Sequence, residues 1–275
     1  MTTISERAER FAELHARPGI FVIPNPWDVG TAQILTGLGF SCLATTSAGL
    51  AFSMGLRDDD AAVGRDAALA HAKQVVDATP LPVSADLENG YGDAPEDVAT
   101  TIALAGEAGL CGCSIEDANP RAGWTLYDRA LAVERIAAGV EAARALPHRF
   151  TLTARTEGFI RGAPDLDETL ARLSAFADAG ADVLFAPGLP GIDAIRTVCS
   201  SVSKPVNVVA GLQGMRLSLA ELEAAGVRRV SLGSSLSRIA YGAMLDAASE
   251  VRDAGTFGYA ERLKSVETWD ALVGG

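Results

Sequence analysis

One short pattern recurs along this chain and limits what it can fold into. A stretch of helical period ends at a glycine, a short β-rich run follows, and the run ends in small or polar residues. It occurs around Gly39 (ILTGLGFSCLATTSAG), Gly109 (GEAGLCGCSIEDAN), Gly180 (ADAGADVLFAPG) and Gly226 (EAAGVRRVSLGSS). Each glycine stands where a helix end calls for a left-handed residue. Four further runs, GIFVIPNPWD, LPVSADLENG, FTLTARTEG and KPVNVVAGL, complete a set of strands expected to start near residues 21, 42, 81, 112, 150, 182, 205 and 228. Strands alternating with helices imply parallel pairing, and eight such units predict an α/β fold of the (β/α)8 TIM-barrel type. A doubly wound open sheet is the competitor, but no G-x-G-x-x-G follows the first strand. No Pro/Ser-rich linker divides the chain, so residues 1–275 are read as a single barrel domain. Thr3 with Glu6 reads as a capping box opening a first helix, and Asp165 with Glu168 as a similar start. The segment from Ser234 to Gly275 exceeds one covering helix. Its Phe257, Tyr259, Leu263, Val266 and Trp269 recur at near-helical spacing, as expected of oligomerisation helices.

Composition excludes several classes. Hydrophobic residues make up 48% of the chain, enough for a large core. No apolar run reaches the ~18 residues of a membrane span. The charged N-terminal stretch lacks the apolar centre of a signal peptide, so a cytoplasmic location is expected. Cys42, Cys111, Cys113 and Cys199 are then expected to be reduced, buried thiols. A net charge of −12 leaves no basic patch for nucleic acid. His15, His71 and His148 fall in helices or at a helix end and are expected at the surface.

The chemistry is expected at LPVSADLENGYG, where an apolar strand runs into Asp86 and Glu88 and then a glycine-rich turn. If the extended backbone persists to position 88, both carboxylates leave the same face. Such a pair must share a proton or bind a cation. In a barrel the C-terminal strand ends form the active face. Strand 1 brings Asn25, Pro26, Trp27 and Asp28 there. Strand 2 brings Thr45, Thr46, Ser47, Ala48 and Gly49, and then a loop with Arg57, Asp58, Asp59 and Asp60. Strands 4, 5, 7 and 8 bring Glu116 and Asp117, Arg155 and Glu157, Asn207, and Gly233 to Ser235. Several acids around one arginine fit an oxygen-ligand site for a hard divalent ion, with an anionic substrate bridging metal and arginine. Without His or Cys at these ends, Mg2+ is expected rather than zinc, with Mn2+ as its substitute.

The ordered set NPWDVGTAQILTGLGF, ATTSAG, GLRDD, SADLENGYG, CSIEDAN, LTARTEGF and PVNVVAG closely resembles the isocitrate lyase/phosphoenolpyruvate mutase superfamily over roughly residues 20 to 240. The resemblance implies a (β/α)8 barrel with its last helix swapped between subunits, a homotetramer built as a dimer of dimers, and a Mg2+-bound enolate or 2-oxo acid at the strand ends. Carried over by position, it implies Asp86 as direct metal ligand. Asp58, Glu88 and Glu116 would hold the metal mostly through water. Backbone amides of Ser47 and Ala48, beside Thr46, would hold the substrate carboxylate. Arg155 would neutralise oxyanion charge and Asn207 would line the far side. Trp27 joins the substrate side as packing and support. Glu88 departs from the commoner aspartate. After strand 4 the larger departure appears: EDANPRAGWTLYD lacks the Lys-Arg/Lys-Cys-Gly-His motif of the isocitrate and methylisocitrate lyases. It also lacks the loop Lys and Asn-Ser of phosphonate-forming mutases. Arg121 and Tyr127 are its polar catalytic candidates.

These features predict a Mg2+-dependent lyase or decarboxylase acting on a small 2-oxo or 2-hydroxy (di)carboxylic acid. Two alternatives stand beside it. One is a mutase or phosphate-ester enzyme, in which Gly233, Ser234 and Ser235 cradle a phosphate. The other is a non-catalytic barrel that binds a 2-oxo acid.

Overall fold

Eight parallel strands lie where the pattern puts them. In the computed structural model, which describes residues 2–58, 62–212 and 216–273, they are β1 (Phe21–Ile23), β2 (Leu43–Ala44), β3 (Val83–Asp86), β4 (Gly112–Glu116), β5 (Thr151–Arg155), β6 (Val183–Phe185), β7 (Val206–Val209) and β8 (Arg229–Ser231). Each begins within two residues of its expected start. The sheet order is β1-β8-β7-β6-β5-β4-β3-β2. The two ends of that order meet at a seam. There the Ala44 amide donates to the Pro24 carbonyl at 3.0 Å. Asn25 rivets the same place: its Nδ2 donates to the Thr45 carbonyl at 2.9 Å, and its Oδ1 accepts the amides of Leu232 and Gly233 at 2.8 and 2.9 Å. The sheet is therefore a nearly closed barrel.

Eleven helices occur among the described residues. Helix α1 (Ile4–Ala16) opens on the Thr3/Glu6 capping box. Asp165 accepts the Glu168 amide to open α7 (Leu166–Asp178), without the reciprocal bond. The others before the tail are α2 (Val29–Gly37), α3 (Ser47–Ser53), α4 (Arg65–Asp77), α5 (Pro95–Glu107), α6 (Arg129–Ala145), α8 (Ile192–Ser201) and α9 (Leu219–Ala224). Gly39, Gly109, Gly180 and Gly226 all adopt positive φ, between 84° and 102°. A side chain there would strain the step from helix to strand.

Strand side chains alternate between two environments. Cys113, Ile115, Leu152, Ala154, Leu184, Val206, Val208 and Val230 enter the apolar cluster beneath the helices. The alternate positions face the barrel interior. Register places Glu116, Arg155, Phe185 and Asn207 side by side on four neighbouring strands, and Asp86 opposite Ser114. A polar row at the C-terminal mouth is thus fixed by ladder pairing alone.

The tail leaves its own barrel. In α10 (Ser235–Ala254) only Ser235 and Ser237 are buried, while Ile239, Met244, Leu245 and Val251 are exposed. The last helix, α11 (Val266–Val273), returns to α2. Leu272 approaches Gly37 so closely that a Cβ there would lie 2.6 Å from the Leu272 carbonyl oxygen. One expectation is corrected here: His15 is buried, not at the surface. Its Nδ1 bonds the Phe11 carbonyl at 2.8 Å, and Arg229 lies 3.3 Å from its Nε2.

Candidate functional site

A cavity of about 660 Å³ opens at the C-terminal mouth. Of the residues expected there, Thr46, Ser47, Ala48, Asp58, Asp86, Arg155 and Asn207 line it. Asp86 ends β3 and is held from three sides. Ser47 Oγ donates to its Oδ2 at 2.9 Å, Ser114 Oγ to its Oδ1 at 3.4 Å, and its own amide donates to Thr45 Oγ1 at 3.1 Å. Arg155 Nη1 stands 3.6 Å from the same Oδ2.

Arg155 is the electrostatic hub. Its Nη2 lies 3.4 Å from Glu116 Oε2, and its Nε donates to Glu157 Oε1. Burial opposes its charge, but Glu157, Glu116 and Asp86 outweigh that and raise its pKa above the ordinary guanidinium value. Its guanidinium also lies over the Phe185 ring, 5.2 Å from the centroid. Glu157 is fully buried. Its second oxygen accepts Arg161 Nε at 3.2 Å, and its amide donates to Asp117 Oδ1 at 2.9 Å. Arg161 in turn stacks on Trp124, 3.8 Å from the ring centroid. Glu116 is buried and does not line the cavity. Burial, and then the charge of Glu157, push its pKa well up.

Glu88 departs from the expected geometry. Strand β3 ends at Asp86, and Glu88 has φ +48° inside the turn, so period-two alternation does not carry it to the face of Asp86. The turn nevertheless brings it near. Burial, then the charges of Asp86 and Asp58, raise its carboxyl to about 8. Three carboxylates that repel one another without His or Cys suit a hard cation. Among the described residues, no three His, Cys, Asp or Glu side chains converge closely enough to chelate a metal together. Asp58 and Asp86 are the carboxylates that line the cavity, and oxygen donors of this kind suit Mg2+, which is commonly held by one or two carboxylates and water. Asp59 and Asp60 lie outside the described residues.

Like Glu88 and Glu116, three more expected residues stand away from the cavity lining. Tyr127 donates to Asp93 Oδ1 at 2.7 Å, accepts from Asn89 Nδ2 at 2.8 Å and lies under Arg135. Burial, then its bond to Asp93, push the phenol up to about 12, which makes it a poor proton donor. Arg121 is exposed on the turn of a small hairpin, Ala118–Asn119 with Thr125–Leu126, 3.6 Å from Asp93. Trp27 packs against Tyr241, its carbonyl bonded to His71 Nε2 at 2.9 Å.

Sequence reasoning gave no role to Arg229, which also lines the cavity. It is buried without a carboxylate among its bonding partners: Asn207 Oδ1 at 2.9 Å, Thr153 Oγ1 at 2.9 Å and His15 Nε2. Because its Nε occupies Asn207 Oδ1, the Asn207 amide is fixed with Nδ2 on Ser231 Oγ at 3.0 Å. A second arginine in an otherwise apolar strand, VRRVSL, was the available signal. For Glu157 it was an acid two positions beyond an inward-facing arginine.

The family model for phosphoenolpyruvate phosphomutase matches residues 11–252. A crystal structure from Burkholderia cenocepacia J2315, described as a lyase/mutase, superimposes with a TM-score of 0.94 at 56% identity, covering 97% of this chain and 95% of that one. Oxaloacetate acetylhydrolase in complex with oxalate superimposes with a TM-score of 0.88 at 25% identity, over 99% and 95% of the two chains. In sequence, 2,3-dimethylmalate lyase of Eubacterium barkeri is 27% identical over 97% of this chain and 94% of its own. The lyases and mutases among these relatives sit on the same barrel, and the family match runs through all eight strands. This chain therefore belongs to the isocitrate lyase/phosphoenolpyruvate mutase superfamily.

Proposed function

We propose that this protein is a Mg2+-dependent lyase or decarboxylase acting on a small 2-oxo or 2-hydroxy (di)carboxylic acid by way of an enolate. The observation that carries the reading is the pairing of Asp86 with Arg155, 3.6 Å apart on one cavity wall. It sets a hydroxyl-braced carboxylate beside a part-buried guanidinium. A divalent cation bound at Asp86, with Asp58, Glu88 and Glu116 reached through water, would supply Lewis acidity toward the keto and carboxylate oxygens. Mg2+ is the expected ion and Mn2+ its substitute. Arg155 meets the negative charge that grows on the substrate oxygen. Such charge-assisted bonds contribute ~1.5–3 kcal/mol each, ~10- to 100-fold in rate when made only in the transition state. Ser47 and Ala48 lie in the first turn of α3, where amides have no helical acceptor, and receive the substrate carboxylate beside Thr46. Asn207, oriented by Arg229, closes the far side. With Tyr127 bound to Asp93 and Arg121 outside the cavity, the enolate left when the C–C bond to a departing CO2 breaks takes its proton from water.

The test is pyruvate release from a panel of 2-oxo and 2-hydroxy acids with Mg2+ and with EDTA. Absence of both turnover and Mg2+-dependent binding across the panel overturns the reading. A mutase reading is favoured by the description of the matching family model. Conversion of phosphoenolpyruvate to a phosphonate, followed by phosphorus NMR, distinguishes it. A non-catalytic barrel would show ligand stabilisation without turnover.

The exposed apolar face of α10 supports a homo-oligomer, a dimer of dimers in which this helix packs on a neighbour's barrel. A cytoplasmic location accords with four free cysteines and with the lack, among described residues, of a helix long and apolar enough to cross a membrane.

A further inference from the structure

The turn that follows Asp86 holds a backbone conformation that its residues do not favour. Glu88, Gly90 and Tyr91 have φ of +48°, +82° and +62°. Only glycine enters that region freely. Glu88 and Tyr91 therefore stay there because the surrounding structure over-determines them. One side of the grip is α5. A Cβ at Gly90 would come within 3.1 Å of Val98 Cγ2, and Thr101 Oγ1 donates to the Gly90 carbonyl at 2.7 Å. The Glu88 carbonyl accepts the Glu116 amide at 2.8 Å, so the turn also ties Glu88 to the end of β4.

The other side of the grip is α6. Its Arg135 is 1% exposed and does not line the cavity. Nη1 donates to the Gly92 carbonyl at 2.8 Å, and Nη2 donates to the Asn89 carbonyl. These two carbonyls flank Gly90 and Tyr91, so one rigid, planar guanidinium spans the turn. Tyr127 backs it. Its ring lies 4.3 Å from the guanidinium carbon, and its hydroxyl accepts from Asn89 Nδ2 at 2.8 Å and donates to Asp93 Oδ1 at 2.7 Å. A buried arginine ordinarily meets a carboxylate. The hydrogen bonds of this one go to the main chain of the turn instead.

We infer that Arg135 is a positioning residue for the metal site: by clamping the turn at Asn89 and Gly92, it sets where Glu88 stands beside Asp86 and Asp58. The inference rests on the Mg2+ site proposed above. Arg135 acts here through the backbone and not through its charge, and the two modes predict opposite signs. A cation repels a metal ion, so loss of the charge alone would tighten Mg2+ binding. Loss of the clamp weakens it.

Calorimetric titration of the full-length protein with Mg2+ tests this, with folding checked by circular dichroism. Groups that hold a metal's ligands in place typically contribute roughly 10- to 100-fold in affinity. Arg135→Met should therefore weaken Mg2+ binding by about tenfold or more. Arg135→Lys keeps the charge but cannot span both carbonyls, and should recover only part of that loss. In a Glu88→Gln background, R135M should cost less than about twofold further, because the group it positions is already gone. Ile136→Val, on the same helix and removing none of these bonds, should leave affinity unchanged. Unchanged or tighter binding in R135M, wild-type affinity in E88Q, or a fully additive loss in the double variant overturns the inference and leaves the Mg2+ site standing. Should R135M fail to fold, R135K decides by the same titration, and wild-type affinity there overturns the clamp. Failure of the wild-type protein to bind Mg2+ overturns both.

Discussion

Replacing Glu157 by glutamine tests how the site holds its arginine. Glu157 is fully buried, and Arg155 Nε and Arg161 Nε each take one of its oxygens. Glutamine keeps the shape but offers one acceptor oxygen and an NH2 group, so one arginine N–H must face another donor. Each charge-assisted bond contributes ~1.5–3 kcal/mol, and removing one partner of a buried pair typically costs ~3–5 kcal/mol. Part of that returns through Glu116. Glu116 Oε2, 3.4 Å from Arg155 Nη2, remains to hold the guanidinium. The expected net loss is ~2–4 kcal/mol, a fall in Tm of ~5–15 °C for a chain of this size. Arg155 also loses the anchor that sets its tilt toward Asp86. We expect kcat to fall ~10- to 100-fold with KM changed less than a few-fold, the mark of an interaction used in the transition state. Thermal unfolding by circular dichroism and pyruvate-release kinetics on one preparation give both numbers. E157Q unfolding at the wild-type temperature with wild-type kcat would refute the view that Glu157 positions Arg155.

Further outcomes follow from the same geometry. Asp86→Ala should abolish Mg2+ binding by calorimetry and activity without lowering Tm, since it relieves repulsion with Glu88; a large drop in Tm would make Asp86 structural. Burial, then Arg229, lower His15 to about 3 from an ordinary 6.5. The unfolded chain therefore takes up a proton that the folded one refuses. Stability is full above pH 6.5 and falls by up to a few kcal/mol as pH drops toward 3. Urea unfolding at pH 7 and 4 should show this slope reduced in His15→Gln, and an unchanged slope would contradict it. Light scattering at micromolar concentration should give an oligomer, and a monomeric mass would contradict the role given to α10. Calorimetry with Mg2+ should rank a 2-oxo di-acid above isocitrate by ~100-fold or more, since one uncompensated buried carboxylate costs several kcal/mol. Isocitrate binding more tightly would refute the view that its third carboxylate finds no cation beside the stretch after β4, which lacks the Lys and His of the isocitrate lyases.

The barrel was legible because its signals are local. A glycine at a helix end, a β-branched run and a capping pair each act within a few residues, and Gly39, Gly109, Gly180 and Gly226 adopt the backbone they were assigned. Asp86, Arg155 and Asn207 were legible for a related reason: once strand ends are known, inward positions follow by alternation. Glu88 was misplaced because alternation holds only while the strand lasts, and the turn begins one residue too early. Tyr127 and Arg121 depended on which way the hairpin after β4 folds, and both meet Asp93, about 30 residues back in sequence, through hydrogen bonding and charge. The Arg229 network joins residues 15, 153, 207 and 229, and no local pattern encodes a contact at that separation.

The barrel seam has a consequence for how the chain comes to be folded at all. Strand β1 has one ladder partner, β8, more than 200 residues downstream. The Asn25 amide is satisfied only when Thr45 and the backbone at 232–233 are both in place. During synthesis at ~5–20 residues per second, β1 therefore waits ten seconds or more, on the order of the elongation time, for its ladder partner β8. Closure is thus the last and most non-local event, the kind that makes folding slow. A nascent chain released before residue 229 carries a sticky, unpaired leading strand, so premature termination should yield aggregates and chaperone clients, not a smaller working barrel.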